Sequence, residues 1–394
     1  MVIPLSGYEL LHIYYIEILL TLIKLIKIRI KEASMKSFKL GRHDVRYPLI
    51  QGGMGVRVSG GSLAGHVARC GGVGIVAAAG IALGSSRFNG KNYLQAEPEA
   101  LKDELRKAYE IAPDGIIGVN VMVALSDFET LVKAAIDGGA KVIICGAGLP
   151  LGLPGLTAHA PDVALVPIVS SLKAAQLIAK KWDKGFGRLP DAVLVEDPDT
   201  AGGHLGEKME NIGTGDYDHY GTVRAVKEFF RNEYHVEMPV IAAGGVWDRA
   251  DLEHALAEGA DAVQMASRFV PTVECDAADS FKQMYLDCCK EDIGLIMSPA
   301  GLPGRAILKN QESIVRYDQD HQSRCKTGCL KKCSYKENGE RFCIVFALDR
   351  AEKGDVETGL VFCGTNAWKA DRISTVQEIF NELFGDQEKM VQAG

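Results

Sequence analysis

Ala192-Val193-Leu194-Val195 runs directly into Glu196-Asp197-Pro198-Asp199-Thr200-Ala201-Gly202-Gly203-His204-Leu205-Gly206. A buried strand that breaks into paired glycines and then presents a histidine is how a barrel builds a reactive mouth. Glycine lets backbone approach a flat ligand closely, and imidazole is the side chain whose ordinary pKa lies near neutrality. Outward from this stretch, apolar runs recur at residues 47–51, 73–77, 116–121, 141–145, 163–168, 192–196, 239–243 and 261–265. Each is nearly continuous in apolar character, as for parallel strands covered on both faces.

Helical patterns fill the intervals. Residues 62–69 and 98–111 give two of them, and Ser126 is predicted to cap a third through 136, with Glu129 as its capping-box partner. Ser170-Ser171 starts another that ends near Trp182, and Asp248 caps 249–258 before Gly259 stops it. Strand and helix alternating eight times predicts an α/β fold, a closed TIM (β/α)8 barrel. An open doubly wound sheet would require a Gly-x-Gly-x-x-Gly turn after its first strand; Gln51-Gly52-Gly53-Met54-Gly55 fits that poorly.

Such a barrel carries its chemistry at the carboxyl ends of its strands. Here those ends read Gly52-Gly53-Met54, Ala78-Ala79-Gly80, Asn120, Cys145-Gly146-Ala147-Gly148, the 196–206 segment, Gly244-Gly245 and Ala266-Ser267-Arg268-Phe269. A ring of small residues implies a broad planar ligand across the mouth. The loops after the seventh and eighth strands are where this fold grips a phosphate, so Gly244, Gly245, Ser267 and Arg268 are the expected handle. A flat ligand with one phosphate is most simply FMN. Cys145 is expected to face the mouth as a small packed residue.

Composition narrows the class. The chain has 394 residues, 47% hydrophobic and 24% charged, with a net charge of −7, which gives no electrostatic case for nucleic acid. Ten cysteines without a convincing secretory signal indicate a reducing, cytoplasmic setting. Residues 8–30 are apolar but carry Glu9, His12, Glu17, Lys24, Lys27 and Arg29, too many charges for a spanning helix, so no membrane role is expected. An amphipathic surface anchor is a second reading of this stretch. A translated leader is the preferred one. Lys31-Glu32 before Met35 matches a purine-rich ribosome-binding site, which makes Met35 the expected start.

The tail holds a different signal: His321, then Cys325, Cys329, Cys333 and Cys343, with Lys326, Lys331 and Lys332 among them. Four thiols in so short a span fall within loose limits for structural zinc or an iron–sulfur cluster, with Asn338-Gly339 as the return hairpin. Before it, 298–306 reads as an ordered loop returning over the mouth. Beyond it, a helical pattern from Asp349 passes Gly359–Gly364 and ends in a helix near 374–383.

Read together, Pro48 to Met54, Gly72-Val73-Gly74-Ile75, Gly118-Val119-Asn120, Ala201-Gly202-Gly203-His204, Ala243-Gly244-Gly245-Val246 and Ser267-Arg268-Phe269 resemble the nitronate monooxygenase (2-nitropropane dioxygenase) family. They also resemble the related FabK-type FMN-dependent enoyl-ACP reductases. The resemblance implies non-covalent FMN, His204 as the catalytic histidine, and FMN contacts from Gly53, Met54, Asn120, Gly203, Gly244, Gly245, Ala266 and Ser267. It implies oxidation of alkyl nitronates by O2 to a carbonyl compound and nitrite. The alternatives are an NAD(P)H-dependent reductase of an acyl thioester and a flavin- or metal-based redox sensor. Two departures stand out: Ala266-Ser267-Arg268-Phe269 replaces Gly-Thr-Arg-Phe, and Asp-Pro-Asp-Thr follows Glu196. The expected organisation is a leader over 1–34, the FMN-binding barrel over 35–310, a Cys-rich segment over 311–347 and a helical extension over 348–394 packing on the barrel. The expected partners are the small-molecule substrate and O2 or NAD(P)H, with a homodimer left open.

Overall fold

The computed structural model describes residues 37–309, 311–321, 325–339 and 342–391. The leader and the start at Met35 lie outside these residues, as does the side chain of His321. A hairpin of β1 (Phe38–Leu40) and β2 (His43–Val45) precedes the barrel strands β3 (Leu49–Gln51), β4 (Val73–Ala77), β5 (Ile116–Met122), β6 (Val142–Gly146), β7 (Ala164–Val169) and β8 (Val193–Glu196). After the two-residue β9 (Gly203–His204) come β10 (Val240–Ala243) and β11 (Ala262–Met265). Strands β3 to β8, β10 and β11 close into one parallel barrel, with β11 paired to β3. Each of the eight apolar runs becomes a strand within two residues of its predicted ends.

The barrel is filled, not hollow. Ile50, Val73, Ile75, Val142, Ile144, Val166, Leu194 and Ile241 form its interior, and Phe38, Leu40 and Val45 of the hairpin join the same cluster. Since Val73, Val142 and Ala164 begin their strands, the hairpin plugs the amino-terminal end and leaves the carboxyl end for chemistry.

The helices largely follow their local signals. Asp248 accepts from Asp251 N–H at the start of the helix Arg249–Ala257, and Ser171 accepts from Ala174 N–H at the start of Leu172–Phe186, four residues longer than expected. The helix expected from 98 begins earlier, at Tyr93, and contains Pro98. Ser126 does not cap the helix Phe128–Asp137, whose cap position is Asp127. Its hydroxyl instead donates to Gly328 O at 2.6 Å, because a later segment of chain docks there.

That later segment completes the fold over the barrel mouth. The loop expected over 298–306 is a hairpin, β12 (Ile293–Met297) against β13 (Pro303–Ile307), and β14 (Val361–Phe362) joins its edge. Gly339, at φ +69°, ends the short helix Ser334–Asn338 and does not form a hairpin; a left-handed glycine after a helix satisfies its last carbonyls. The helix expected from Asp349 begins at Ile344 and ends at Glu352, and the last helix spans Val376–Val391. No helix among the described residues is long and apolar enough to cross a membrane.

Candidate active site

A cavity of about 770 Å³ opens at the carboxyl ends of the strands. Gly53, Met54, Asn120, Gly203, His204, Gly244, Gly245, Ala266 and Ser267 all line it, so the fold gathers these residues around one space. Cys145 does not line it; that thiol is packed inside β6, where burial pushes its pKa far up. Arg268 does not line it either. Its guanidinium pairs with Glu382 at 2.6 Å and lies over the Trp247 ring, so it braces the last helix on the barrel.

The glycines have specific reasons. A Cβ on Gly53 would overlap the Asn120 side chain, and one on Gly244 would sit 2.7 Å from Thr200 Oγ1. Gly244 and Gly245 lie in succession at φ +103° and +72°, a conformation that ordinary side chains rarely adopt, and both line the cavity. Residues from the far end of the chain hold these loops. Asn366 Nδ2 donates to Gly245 O at 2.6 Å, and Gly364 N–H donates to Ser267 Oγ at 2.8 Å.

His204 is fixed from three sides. Gly203 and His204 pair antiparallel with Arg305 and Gly304 of β13. The turn after β12 sets Ser298 Oγ 2.8 Å from His204 Nε2, and that oxygen accepts from Ala300 N–H at 3.1 Å. Phe362 of β14 meets the imidazole edge-on at 5.2 Å. The glycine pair before the histidine is needed for this docking: Gly202 abuts the backbone of Cys363 and Gly364, and Gly203 has φ +73°. Burial lowers the His204 pKa to about 4, so the ring is neutral through the physiological range.

Sequence reading missed four lining or supporting groups. Glu196, at the end of β8, lines the cavity; burial, then the neighbouring Asp197, raises its pKa to about 8. Gln264 of β11 also lines it, and its Oε1 is buried without a hydrogen-bond partner. Gln264 was visible as the one amide in the apolar run 261–265. Ser298 opens the loop expected over the mouth, but nothing in the sequence linked it to His204, and Phe362 carried no signal.

The Cys-rich segment is a correction. Cys325, Cys329, Cys333 and Cys343 are free thiols, and among the described residues no group of three or more His, Cys, Asp or Glu side chains is placed to hold a metal ion. Burial, with the neighbouring thiols adding, pushes Cys329 up to about 11 and Cys343 up to about 12.

Comparisons with known proteins bear on the family and the fold. A family model described as nitronate monooxygenase matches residues 36–386. The chain belongs to the nitronate monooxygenase family. FabK from Thermotoga maritima superposes with a TM-score of 0.64 at 26% identity, over 89% of this chain and 95% of that one. A curated relative from Rhodococcus jostii, named (3aS,4S,5R,7aS)-5-hydroxy-7a-methyl-1-oxo-octahydro-1H-indene-4-carboxyl-CoA dehydrogenase, is 28% identical over 263 residues. That match spans 67% of this chain and 63% of the relative's own length. A nitroalkane oxidase from Streptomyces ansochromogenes shares the fold at a TM-score of 0.62 and 18% identity, covering 89% of this chain and 98% of that one.

Proposed function

We propose that this chain is an FMN-dependent oxidoreductase acting at the carbons beside the carbonyl of an acyl thioester, with NAD(P)H as the second redox partner. The observation that carries this reading is the cavity. At about 770 Å³ it stands toward the upper end of the roughly 300–1,000 Å³ of single-ligand sites, enough for a cofactor and a second sizeable body. The name of the Rhodococcus relative, a carboxyl-CoA dehydrogenase, points to the same thioester chemistry.

The lining fits FMN. The Gly244-Gly245 amides suit a phosphate, the bare Gly53 face against Asn120 suits close approach of a flat ring, and the unpartnered Gln264 Oε1 suits a hydroxyl donor of the ribityl chain. Ala266, Ser267, Met54 and Gly203 complete the proposed contacts. Bound there, FMN supplies two-electron redox chemistry; the chain supplies the rest. Glu196, largely protonated at neutral pH, serves as a hydrogen-bond donor at the cavity floor. Ser298 Oγ accepts from Ala300 N–H and lies 2.8 Å from His204 Nε2; in the tautomer we propose, the hydroxyl donates to Nε2. That leaves Nδ1–H of the neutral imidazole to donate to the thioester carbonyl, polarising it and steadying charge that builds on oxygen. The pairing of β9 with β13 and the Phe362 edge hold the ring in that pose.

A second reading, oxidation of alkyl nitronates by O2, is favoured by the family match over residues 36–386. Burial makes His204 a weaker base than a free imidazole, and this reading takes the preformed nitronate, which requires no proton abstraction, as substrate. One anaerobic experiment separates the two. Under the thioester reading NAD(P)H bleaches the yellow protein and a 2-enoyl-CoA restores the colour. Bleaching by propionate 3-nitronate without response to NAD(P)H overturns it in favour of nitronate oxidation.

A further inference from the structure

Charge is distributed unevenly around the cavity wall. Among the described residues, every Asp, Glu, Lys or Arg lining it lies between 196 and 210: Glu196, Glu207, Lys208 and Glu210. These come from the loop after β8. Above the carboxyl ends of β4 and β5 the wall is different. It is built by Tyr93 and Leu125 from the barrel and by Leu330, Ile344, Val345 and Leu348 from the tail. Five of these six are aliphatic, and Leu125, Leu330, Ile344 and Val345 are each at most 6% exposed.

The tail wall is anchored at both ends. Leu330 bridges Leu125 in antiparallel pairing, Lys331 N–H donates to Ala124 O at 2.9 Å, and Ser126 N–H donates to Cys329 O at 2.9 Å. Lys331 Nζ reaches Val123 O at 2.7 Å, which turns its charge away from the cavity and along the β5 loop. At the other end of the helix Ile344–Glu352, Asp349 and Glu352 both pair with Arg57 from the loop after β3. Ile344, Val345 and Leu348 share the cavity-facing side of this helix, being one and four positions apart.

We infer that Leu330, Ile344, Val345 and Leu348 of the tail form an acyl chamber: this apolar wall, facing Tyr93 and Leu125, receives the hydrocarbon body of the substrate, while the thioester end lies toward the polar loop after β8. This inference rests on the thioester reading and adds the substrate class to it, an acyl group with an apolar body larger than a few carbons. A wall free of charge gains free energy with each methylene it covers and offers no partner to a small anion. Burial of one methylene corresponds to about a threefold to fourfold change in affinity. A chamber of fixed depth therefore produces steep dependence on chain length up to a limit set by its end wall.

The test is equilibrium binding of saturated acyl-CoA esters, from butyryl to decanoyl, to the FMN-loaded full chain by calorimetry. Octanoyl-CoA is expected to bind about two orders of magnitude more tightly than butyryl-CoA. Leu330→Trp and Val345→Trp, which fill the chamber, should reduce that ratio to about threefold or less; Leu348→Ala, which deepens it, should move the limit to longer chains. FMN content and melting temperature establish that each variant is folded. A wild-type ratio near one, or the full ratio retained in both Trp variants, overturns the chamber. Length dependence abolished by Trp, with no enoyl ester able to reoxidise the flavin, upholds the chamber and overturns the thioester reaction. Turnover of enoyl esters with no length dependence does the reverse.

Discussion

The barrel rim and the Cys-rich tail meet at the same cavity, yet their sequences advertise themselves in opposite ways. The rim announces its role through residues that lack side chains: Gly53 lines the space because a side chain would overlap Asn120, and Gly203, Gly244 and Gly245 because their backbone lies at positive φ. The tail announces thiols, yet of the four only Cys329 reaches the cavity, beside Leu330, Ile344, Val345 and Leu348. A glycine at φ +103° is constrained by local backbone, so its meaning survives in one dimension. A cysteine has meaning only through the partners that converge on it, and these four are not arranged around a metal.

Breaking the rim should have the largest effect. Gly244→Asp introduces a carboxylate where the phosphate is proposed to sit, at a backbone angle only glycine adopts comfortably and against Thr200. The purified variant should be colourless while circular dichroism stays native; wild-type flavin content there would remove the rim assignment. Next comes His204→Ala, which should retain FMN and lose roughly 10²–10⁴ in turnover, the usual range for acid–base and polarising groups. Turnover near wild type would take the imidazole out of the reaction.

Glu196 gives an intermediate effect with a defined sign. Its folded pKa of about 8 lies above the unfolded value of 4.5, so its contribution to stability is full below 4.5 and is lost as pH rises through 8. FMN affinity should likewise decline above pH 8, by about tenfold per unit at most, as the donor becomes an anion. Glu196→Gln should flatten this limb; an alkaline limb unchanged in the variant assigns it to another group. His204 works in the opposite direction, since its lowered pKa leaves it neutral and fully supportive above 6.5, with the contribution lost as pH falls toward 4.

The smallest effect is expected in the tail. Cys343→Ala should cost about 1 kcal/mol of unfolding free energy, as for a packed small residue, and chelators should leave the melting temperature unchanged. A loss of several kcal/mol together with sensitivity to chelators would restore a metal to the tail and erase the contrast with the rim.

The residues that shape His204 show where sequence reading stops. Its strand, its glycines and its position at the mouth were legible, because each follows from a run of neighbours. Ser298 lies 94 residues away and Phe362 further still, and no spacing connects them to residue 204. Ser126 misled for the same reason. Its capping pattern was locally sound, but a carbonyl at Gly328, 202 residues along, took the hydroxyl.

The amino-acid sequence by itself determined the eight buried strands, the ring of small residues at their ends and the histidine that follows the glycine pair. Periodicity and backbone freedom are properties of adjacent residues, and they need no fold to express them. Only the tertiary structure decided that the imidazole is neutral, that Arg268 faces away from the cavity and that the tail forms an apolar wall. Burial and convergence depend on which distant segments share a volume, and that is settled when the chain closes over the barrel.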